Sequence, residues 1–478
     1  MSIKKQILRG SIYTGGAKYF NLFVSLLVTS ILARILAPSD FGIIALTTVV
    51  MSFFDIIATA GLGPAIIQAK DLTKDKYPDI FSWSIIIALF CFLVFNLAVI
   101  PVSIYYHEEK LILILRLLSV QLLFTSLNVF PYSLMLKELR FKELSILSSS
   151  NTLLFGVMAV VMAYSGFGIY SLLALPIGNA VMSFIVCFLI TRDSIRITLI
   201  PRFRPFLDLL QFSVYQFSFN LINYFSRNLD KLLLGKYLGM ESLGYYEKSY
   251  RLMTLPISTL TNVFAPTIQP VLANYQDDKA VIRDTYNSLT RYLLSLGAVI
   301  TPFFVFSAEE IIRIIFGPQW GEAVPIFQVL AVSIMFQLVD SLSGGILQSS
   351  NNVKYLFISG TICAIVNIAS LLVGLLVFGG VLNVAICVAI SYIVNFFIST
   401  YYINKYAVEQ KLQKFYTLLK VPALVLLTIS VFLYGVNLIN LHFIVSAIIK
   451  FLVASVIAYA IINKSGYVVL SPKMFTKV

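Results

Sequence analysis

Sliding Leu8 onto Leu210 lays residues 8–66 on residues 210–268 without a gap. The matches are Leu8/Leu210, Ser11/Ser213, Tyr13/Tyr215, Asn21/Asn223, Leu36/Leu238, Gly42/Gly244, Met51/Met253, Thr59/Thr261 and Pro64/Pro266. A chain with this pattern holds two copies of one unit. Duplicated membrane units are a common basis for translocation paths, with the substrate passing between the copies. Composition identifies the solvent of the unit: 59% of residues are hydrophobic, 12% are charged and the mean hydropathy is +0.90. Crossing the hydrocarbon layer takes about 20 mostly apolar residues, and this chain supplies about fourteen such runs. The expected fold is an all-α polytopic membrane protein.

The first six runs cover residues 13–36, 41–67, 80–105, 111–136, 144–164 and 169–191. The next six repeat the rhythm over residues 206–235, 243–271, 285–307, 323–349, 355–378 and 381–403. Residues 415–438 and 443–462 add two more that belong to neither copy. An even number of spans separates equivalent points, so the repeats are expected to be parallel. The domain organisation that follows is a six-helix lobe over 1–205, a second over 206–410, and two further helices with a tail over 411–478, the lobes enclosing a central cavity. Phe167, Gly168 and Ile169 fall on Gly379, Gly380 and Val381, so the second copy has gained about ten residues relative to the first. These are expected around Glu309 to Trp320 as a short interfacial or re-entrant turn.

Alternate loops differ in basic content, with Lys4, Lys5, Arg9, Lys70, Lys74, Lys76, Lys137, Arg140, Lys142, Arg192, Arg202, Lys354, Lys405 and Lys411 all on one side. Cytoplasmic loops carry the Lys and Arg excess, which places both termini in the cytoplasm. Much of the net charge of +13 is this loop bias in short, interrupted blocks, which argues against a nucleic-acid partner. Cys91, Cys187, Cys363 and Cys387 all lie in apolar runs and read as buried hydrophobes rather than disulfides or metal ligands.

Two histidines far apart, His107 and His442, give little material for a zinc or imidazole site, and there is no phosphate-binding loop for ATP hydrolysis. No metal, cofactor or catalytic residue is expected. Asp40, in the turn Pro38-Ser39-Asp40, reads as a capping residue ahead of a catalytic carboxylate.

Ionised side chains at membrane depth are costly and face partners or water. In the seventh run Gln216, Asn220, Asn223, Arg227, Asp230 and Lys231 share one helical face. In the eighth, Glu247, Arg251, Thr254, Ser258 and Asn262 do the same, with Lys248 at the edge. Asp230 and Glu247 are candidates for intramembrane ion pairs, yet Arg227, Lys231, Lys248 and Arg251 outnumber them. The surplus favours an anion site lining a cavity over structural pairing alone. Thr14, Lys18, Asn21, Ser25 and Thr29 form the matching stripe of the first run. Asp55 and Asp340, deep in apolar runs, could carry a coupling proton or sodium ion, with a helix-packing hydrogen bond as the competing role.

Several segments carry a resemblance: Leu32 to Gly42 (LARILAPSDFG), Gly61 to Pro64 (GLGP), Arg227 to Lys231 (RNLDK) running into Leu238 to Tyr246 (LGMESLGYY), and Phe316 to Trp320 (FGPQW). Together they resemble the polysaccharide transporter family of lipid-linked oligosaccharide, O-antigen-type flippases, within the multidrug/oligosaccharidyl-lipid/polysaccharide exporter superfamily. The resemblance implies a bacterial inner-membrane protein that exports a sugar repeat unit on an undecaprenyl diphosphate carrier by alternating access through a cationic cavity. Its partners would be that lipid-linked oligosaccharide, membrane lipid and the polysaccharide assembly machinery. The related lipid II flippases carry two extra helices associated with a lipid-tail groove, which the last two runs here could provide by analogy.

The diphosphate needs compensating cations in a hydrated path. Arg227, Lys231, Lys248 and Arg251 are the candidates, with Lys18, Asn21 and Asn223 completing the site. A cation-coupled exporter of drugs or small molecules, and a membrane glycosyltransferase or polymerase, are the alternatives. The cationic surplus speaks against cationic drugs, and the short external loops against a catalytic domain.

Overall fold

The computed structural model describes residues 3–59, 62–68, 73–193, 195, 198, 201–203, 224, 228–273, 275–276, 278–439, 442–465 and 467. Among these residues every regular element is a helix, as a chain in lipid requires when its backbone groups must be satisfied within each segment. Eleven helices are long and apolar enough to cross a membrane, and up to twelve if the pair Ala323–Ala331 and Ile334–Ser349, bent by 48°, counts as one span. The expected count of about fourteen is therefore not reached among the described residues. The seventh expected run lies mostly outside them. The eighth is the 35-residue helix Gly239–Ala273, which is not among those eleven apolar helices.

The chain packs as two compact units, Met1–Gly244 and Tyr245–Val478. In the first, α1 (Ile3–Ile35), α2 (Pro38–Thr59), α3 (Leu62–Gln68), α4 (Tyr77–Tyr106), α5 (Lys110–Lys137), α6 (Phe141–Tyr164) and α7 (Ala174–Thr191) follow the expected runs closely. Helix α1 packs along α6, α4 along α5, and α7 against both α5 and α6. Asp40 stands in the first turn of α2, where its carboxylate suits the helix dipole. Its Oδ2 accepts from the Ala37 N–H at 3.2 Å, so the capping role expected of it is what the structure shows. Past α7 the chain docks on the start of α4, where Arg202 donates from its backbone N–H and from Nε to the buried Asp79 carboxylate at 2.9 and 2.8 Å.

Helix α8 (Gly239–Ala273) begins at the end of the first unit. Its Gly244 lies against α2: a Cβ on Gly42 would stand 1.7 Å from the Met240 carbonyl oxygen, and one on Gly244 2.1 Å from that of Pro38. These two glycines are partners in the duplication, so both copies keep the small residue that lets one helix start touch another.

In the second unit, α9 (Lys279–Phe306) leads into the short amphipathic α10 (Ala308–Ile315) and a 3₁₀ turn, Pro318–Trp320. This is the short element expected around Glu309 to Trp320. Next come α11 (Ala323–Ala331), α12 (Ile334–Asp340), α13 (Ser343–Ser349), α14 (Val353–Val373), α15 (Val381–Tyr402), α16 (Leu412–Tyr416), α17 (Lys420–Asn437) and α18 (Phe443–Ser465). Helix α9 is central, packing on α12, α17 and α18. A Cβ on Gly297 would fall 2.7 Å from the Met335 Cα, showing how closely α9 and α12 approach.

One amide pair recurs in both units. Asn151 of α6 donates to Asn179 Oδ1 of α7 at 3.1 Å, and Asn395 of α15 donates to Asn367 Oδ1 of α14 at 2.8 Å, each pair 28 residues apart. Both join the fifth and sixth runs of their unit, with the donor on the fifth run in the first unit and on the sixth in the second. Interhelical amide bonds of this kind contribute about 1 kcal/mol in lipid.

Candidate functional site

Helix α8 is long enough to cross the hydrocarbon: 35 residues rise about 52 Å at 1.5 Å each. Its tyrosine, serine and lysine face turns into the second unit. Tyr245 meets the buried Trp320 ring edge-on at 5.9 Å, Ser249 Oγ donates to the Ala323 carbonyl at 3.0 Å, and the Lys248 ammonium lies 5.9 Å from the centre of the buried Phe316 ring. Lys248 is only 5% exposed. It belongs to the helix's packed face rather than to the stripe at whose edge the sequence placed it. A cation over an aromatic face keeps electrostatic compensation in a dry setting.

One step around the helix, Glu247, Arg251 and Thr254 are part-exposed and Ser258 is exposed. The Thr254 and Ser258 hydroxyls bond back to carbonyls of their own helix, Arg251 O at 3.0 Å and Leu255 O at 3.1 Å. Leu255, Pro256 and Ile257 are part-exposed as well, and the Asn262 side chain lies outside the described residues; Arg251 is the cation of this stretch.

Of the seventh run, residues 228–237 are helical. Asp230 and Lys231 are part-buried there, and Asp230 Oδ1 accepts from the Lys231 backbone N–H at 2.8 Å. Asn223 and Arg227 lie outside the described residues. In α1, Lys18 is exposed, whereas Asn21 donates to Ser148 Oγ of α6 at 2.8 Å and so ties two helices together.

The two membrane carboxylates have similar settings in different units. Asp55 of α2 and Asp340 at the end of α12 are each part-buried by residue, and each has a fully buried Oδ1 with no hydrogen-bond partner among the described residues. An open groove of about 540 Å³ in the first unit, lined by Leu113, Leu117, Phe155, Met158 and Phe167, is almost wholly apolar. It is unsuited to an anionic head group.

Like the Arg202–Asp79 pair, a buried charge pair in the second unit was not legible in the residues alone. Lys450 of α18 is 1% exposed and donates to Glu310 Oε1 of α10 and to the Phe306 carbonyl at 2.8 Å, while Ser446 Oγ donates to the same carboxylate oxygen at 2.7 Å. An isolated lysine in the middle of an apolar run was the available signal, since such a group needs a partner. The partner itself lies far away in sequence.

A helical protein with many apolar spans, a charged helix of spanning length and a buried charge pair belongs to the class of polytopic membrane transporters. Solved structures agree on the fold. The lipid II flippase MurJ in its inward closed conformation is similar with a TM-score of 0.72 at 15% identity, over 95% of this chain and 99% of that one. An inward-facing multidrug resistance MATE family transporter of the MOP superfamily gives 0.62 at 14% identity, over 84% and 96%.

The family described as polysaccharide biosynthesis protein matches residues 31–325, and the chain belongs to it. Among curated relatives, the teichuronic acid biosynthesis protein TuaB of Bacillus subtilis (strain 168) is 24% identical over 93% of this chain and 92% of its own length. The lipopolysaccharide biosynthesis protein WzxC of Escherichia coli (strain K12) is 21% identical over 75% and 73%. The succinoglycan biosynthesis transport protein ExoT of Rhizobium meliloti (strain 1021) is 25% identical over 63% and 61%.

Proposed function

We propose that this chain is a flippase that carries a lipid-linked oligosaccharide across the bacterial cytoplasmic membrane, with both termini in the cytoplasm. The membrane transporter fold, membership of a polysaccharide biosynthesis family and relatives named for glycan assembly and transport support that reading. The observation that carries the mechanism is the part-exposed face of α8, where Glu247, Arg251, Thr254 and Ser258 run along a helix of spanning length.

A diphosphate head cannot enter hydrocarbon without cations and hydrogen-bond donors to replace its water. Arg251, with its planar fork of donors, is assigned to the phosphate oxygens, together with Lys231 and Arg227. Lys18, Asn21 and Asn223 supply further polar contacts, and Lys248 holds the inner face of α8 behind Arg251. The lipid tail stays in the bilayer, and the polysaccharide assembly machinery takes the delivered repeat unit.

Arg251→Glu is expected to remove surface glycan while the protein inserts in the membrane at its normal level, read by glycan staining and membrane immunoblot. Full export by that variant would sink the assignment. Coupling is assigned to Asp55 and Asp340, whose carboxylates can hold a proton or sodium ion at depth. Export should therefore fall when the proton and sodium gradients are collapsed, and Asp340→Asn should make it insensitive to that collapse. Export that is equally fast with and without gradients would remove the coupling role.

A further inference from the structure

The interior of the second unit gathers polar atoms that its own side chains do not satisfy. Six buried side-chain atoms without a hydrogen-bond partner among the described residues belong to one group: Asp340 Oδ1, Tyr286 Oη, Thr290 Oγ1, Asn287 Oδ1, Asn404 Oδ1 and Gln410 Nε2. They are not scattered. Tyr286 and its neighbour Asn287 lie one turn before Thr290 on α9, and the buried Thr400 and Asn404 lie one turn apart where α15 passes into a π-helical turn, Ile403–Ala407.

Hydrogen bonds order the group from one end. Asn287 Nδ2 donates to Gln410 Oε1 at 2.9 Å, the Gln410 backbone N–H donates to the Asn404 carbonyl at 2.8 Å, and Asn404 Nδ2 donates to the Thr400 carbonyl at 2.8 Å. Beside Thr400 stands the Tyr286 hydroxyl, with Thr290 on its other side. Ser399 reaches Asp340, and Cys363 Sγ of α14 lies 4.0 Å from Ser399 Oγ. The Gln410 end neighbours the basic residues Lys405, Lys411 and Lys414 in sequence.

Buried polar atoms are rarely left unsatisfied by both protein and water, and a group of them without protein partners is the setting in which proteins hold internal water. An apolar core would be the cheaper arrangement, as it is elsewhere in the unit at Phe327, Leu330 and Ile334. A π-helical turn beside the group also breaks the regular helix ladder, a feature that often marks a functional position.

We propose that this file, from Gln410 through Asn404, Thr400 and Tyr286 to Asp340, is a hydrated proton route that opens Asp340 to the cytoplasmic end of the second unit. It rests on the reading of Asp340 as a coupling carboxylate and adds where its proton comes from. The proton passes along water and hydroxyl groups without covalent change to the chain. The titratable neighbours of Asp340 are Tyr286 from α9 and Cys363 from α14, with Tyr416 of α16 beyond Tyr286. Asp340 is the acidic group among them. Its release of a proton toward the basic end couples it to cytoplasmic pH rather than to external pH.

The natural Cys363 makes the test direct. Silver ion, a thiol-seeking cation close to water in size, is added to inside-out vesicles or to right-side-out vesicles holding the full chain, and free thiols are then counted residue by residue after denaturation. The expected result is protection of Cys363 from the cytoplasmic side only, with the buried Cys187 unreacted from either side. Asn404→Leu, which fills the file with a branched apolar side chain, should slow the reaction at Cys363 by about tenfold or more.

No reaction at Cys363 from the cytoplasmic side, or reaction from the outer side alone, overturns the route. Thr290→Cys gives an independent arm deeper in the file and should react with the same sidedness. Failure of the route and failure of coupling are distinct outcomes. If Asp340→Asn abolishes gradient-dependent export while Cys363 stays unreactive, coupling stands and the route falls. If silver reaches Cys363 but export ignores the gradients, the file is hydrated without being a coupling path, which also overturns the proposal.

Discussion

Gly42→Ala and Gly244→Ala are each expected to abolish glycan export and to lower the thermal unfolding temperature of the purified protein sharply. The reason is geometric. A methyl group at Gly42 would stand 1.7 Å from the Met240 carbonyl oxygen and 2.6 Å from its carbon, and one at Gly244 would stand 2.1 Å from the Pro38 oxygen. The obstacle in both cases is backbone, which cannot turn aside as a flexible side chain does. The starts of α2 and α8 would have to separate. Overpacking at such a contact costs about 3 kcal/mol at the upper end of the usual range, or more where the backbone must move.

Gly15→Ala and Gly16→Ala provide the contrast, because among the described residues no atom outside the local helix lies within 4 Å of their added methyl groups. Those two changes should be neutral, or stabilise α1 by about 0.5–1 kcal/mol through helix propensity. Wild-type unfolding and export by Gly42→Ala and Gly244→Ala would show that the helix starts do not need to touch.

The second large effect is expected at Lys450→Met. The change leaves the Glu310 carboxylate buried with, among the described residues, the Ser446 hydroxyl to serve it, and loss of one partner from a buried ion pair costs about 3–5 kcal/mol. The protein should unfold at a markedly lower temperature in detergent, with α18 the first element to become sensitive to protease. Glu310→Gln in the same chain should restore much of the loss, because the stranded charge is then gone. A double variant no more stable than Lys450→Met alone would contradict this account of the pair. The role inferred for it is to fix the last helix to α10 and the end of α9.

These two sites show what could and could not be read from the residues alone. Gly42 and Gly244 stood out as matched positions in the duplication, but a match says only that both copies need a glycine, not that the two glycines meet. Span positions were legible because apolar length is a one-dimensional property: residues 111–136 were expected in the membrane, and α5 runs Lys110–Lys137. The exposure of Glu247, Arg251, Thr254 and Ser258, part-exposed or exposed in the structure, agrees with polar residues on a helix too charged to be buried throughout. Lys248 marks the limit. A helical wheel places it at the edge of that stripe, and only the neighbouring Phe316, brought in by the turn after α10, decides that it points inward. Lys450 and Glu310 were illegible as a pair because 140 residues separate them. The same holds for the polar file, whose members come from α9, α12, α15 and the Gln410 loop.

The central claim, that the chain moves a lipid-linked oligosaccharide past a cationic face, is tested most directly by reconstitution. Purified protein is placed in vesicles containing an undecaprenyl-diphosphate-linked oligosaccharide, and the fraction open to a glycosidase added outside is followed after a proton gradient is imposed. The account predicts that wild-type protein converts the protected inner-leaflet pool to a cleavable one, that Arg251→Glu does not, and that the lipid-linked sugar is chemically unchanged before cleavage. Equal movement in protein-free vesicles or with Arg251→Glu, or elongation of the glycan by the protein itself, would contradict it.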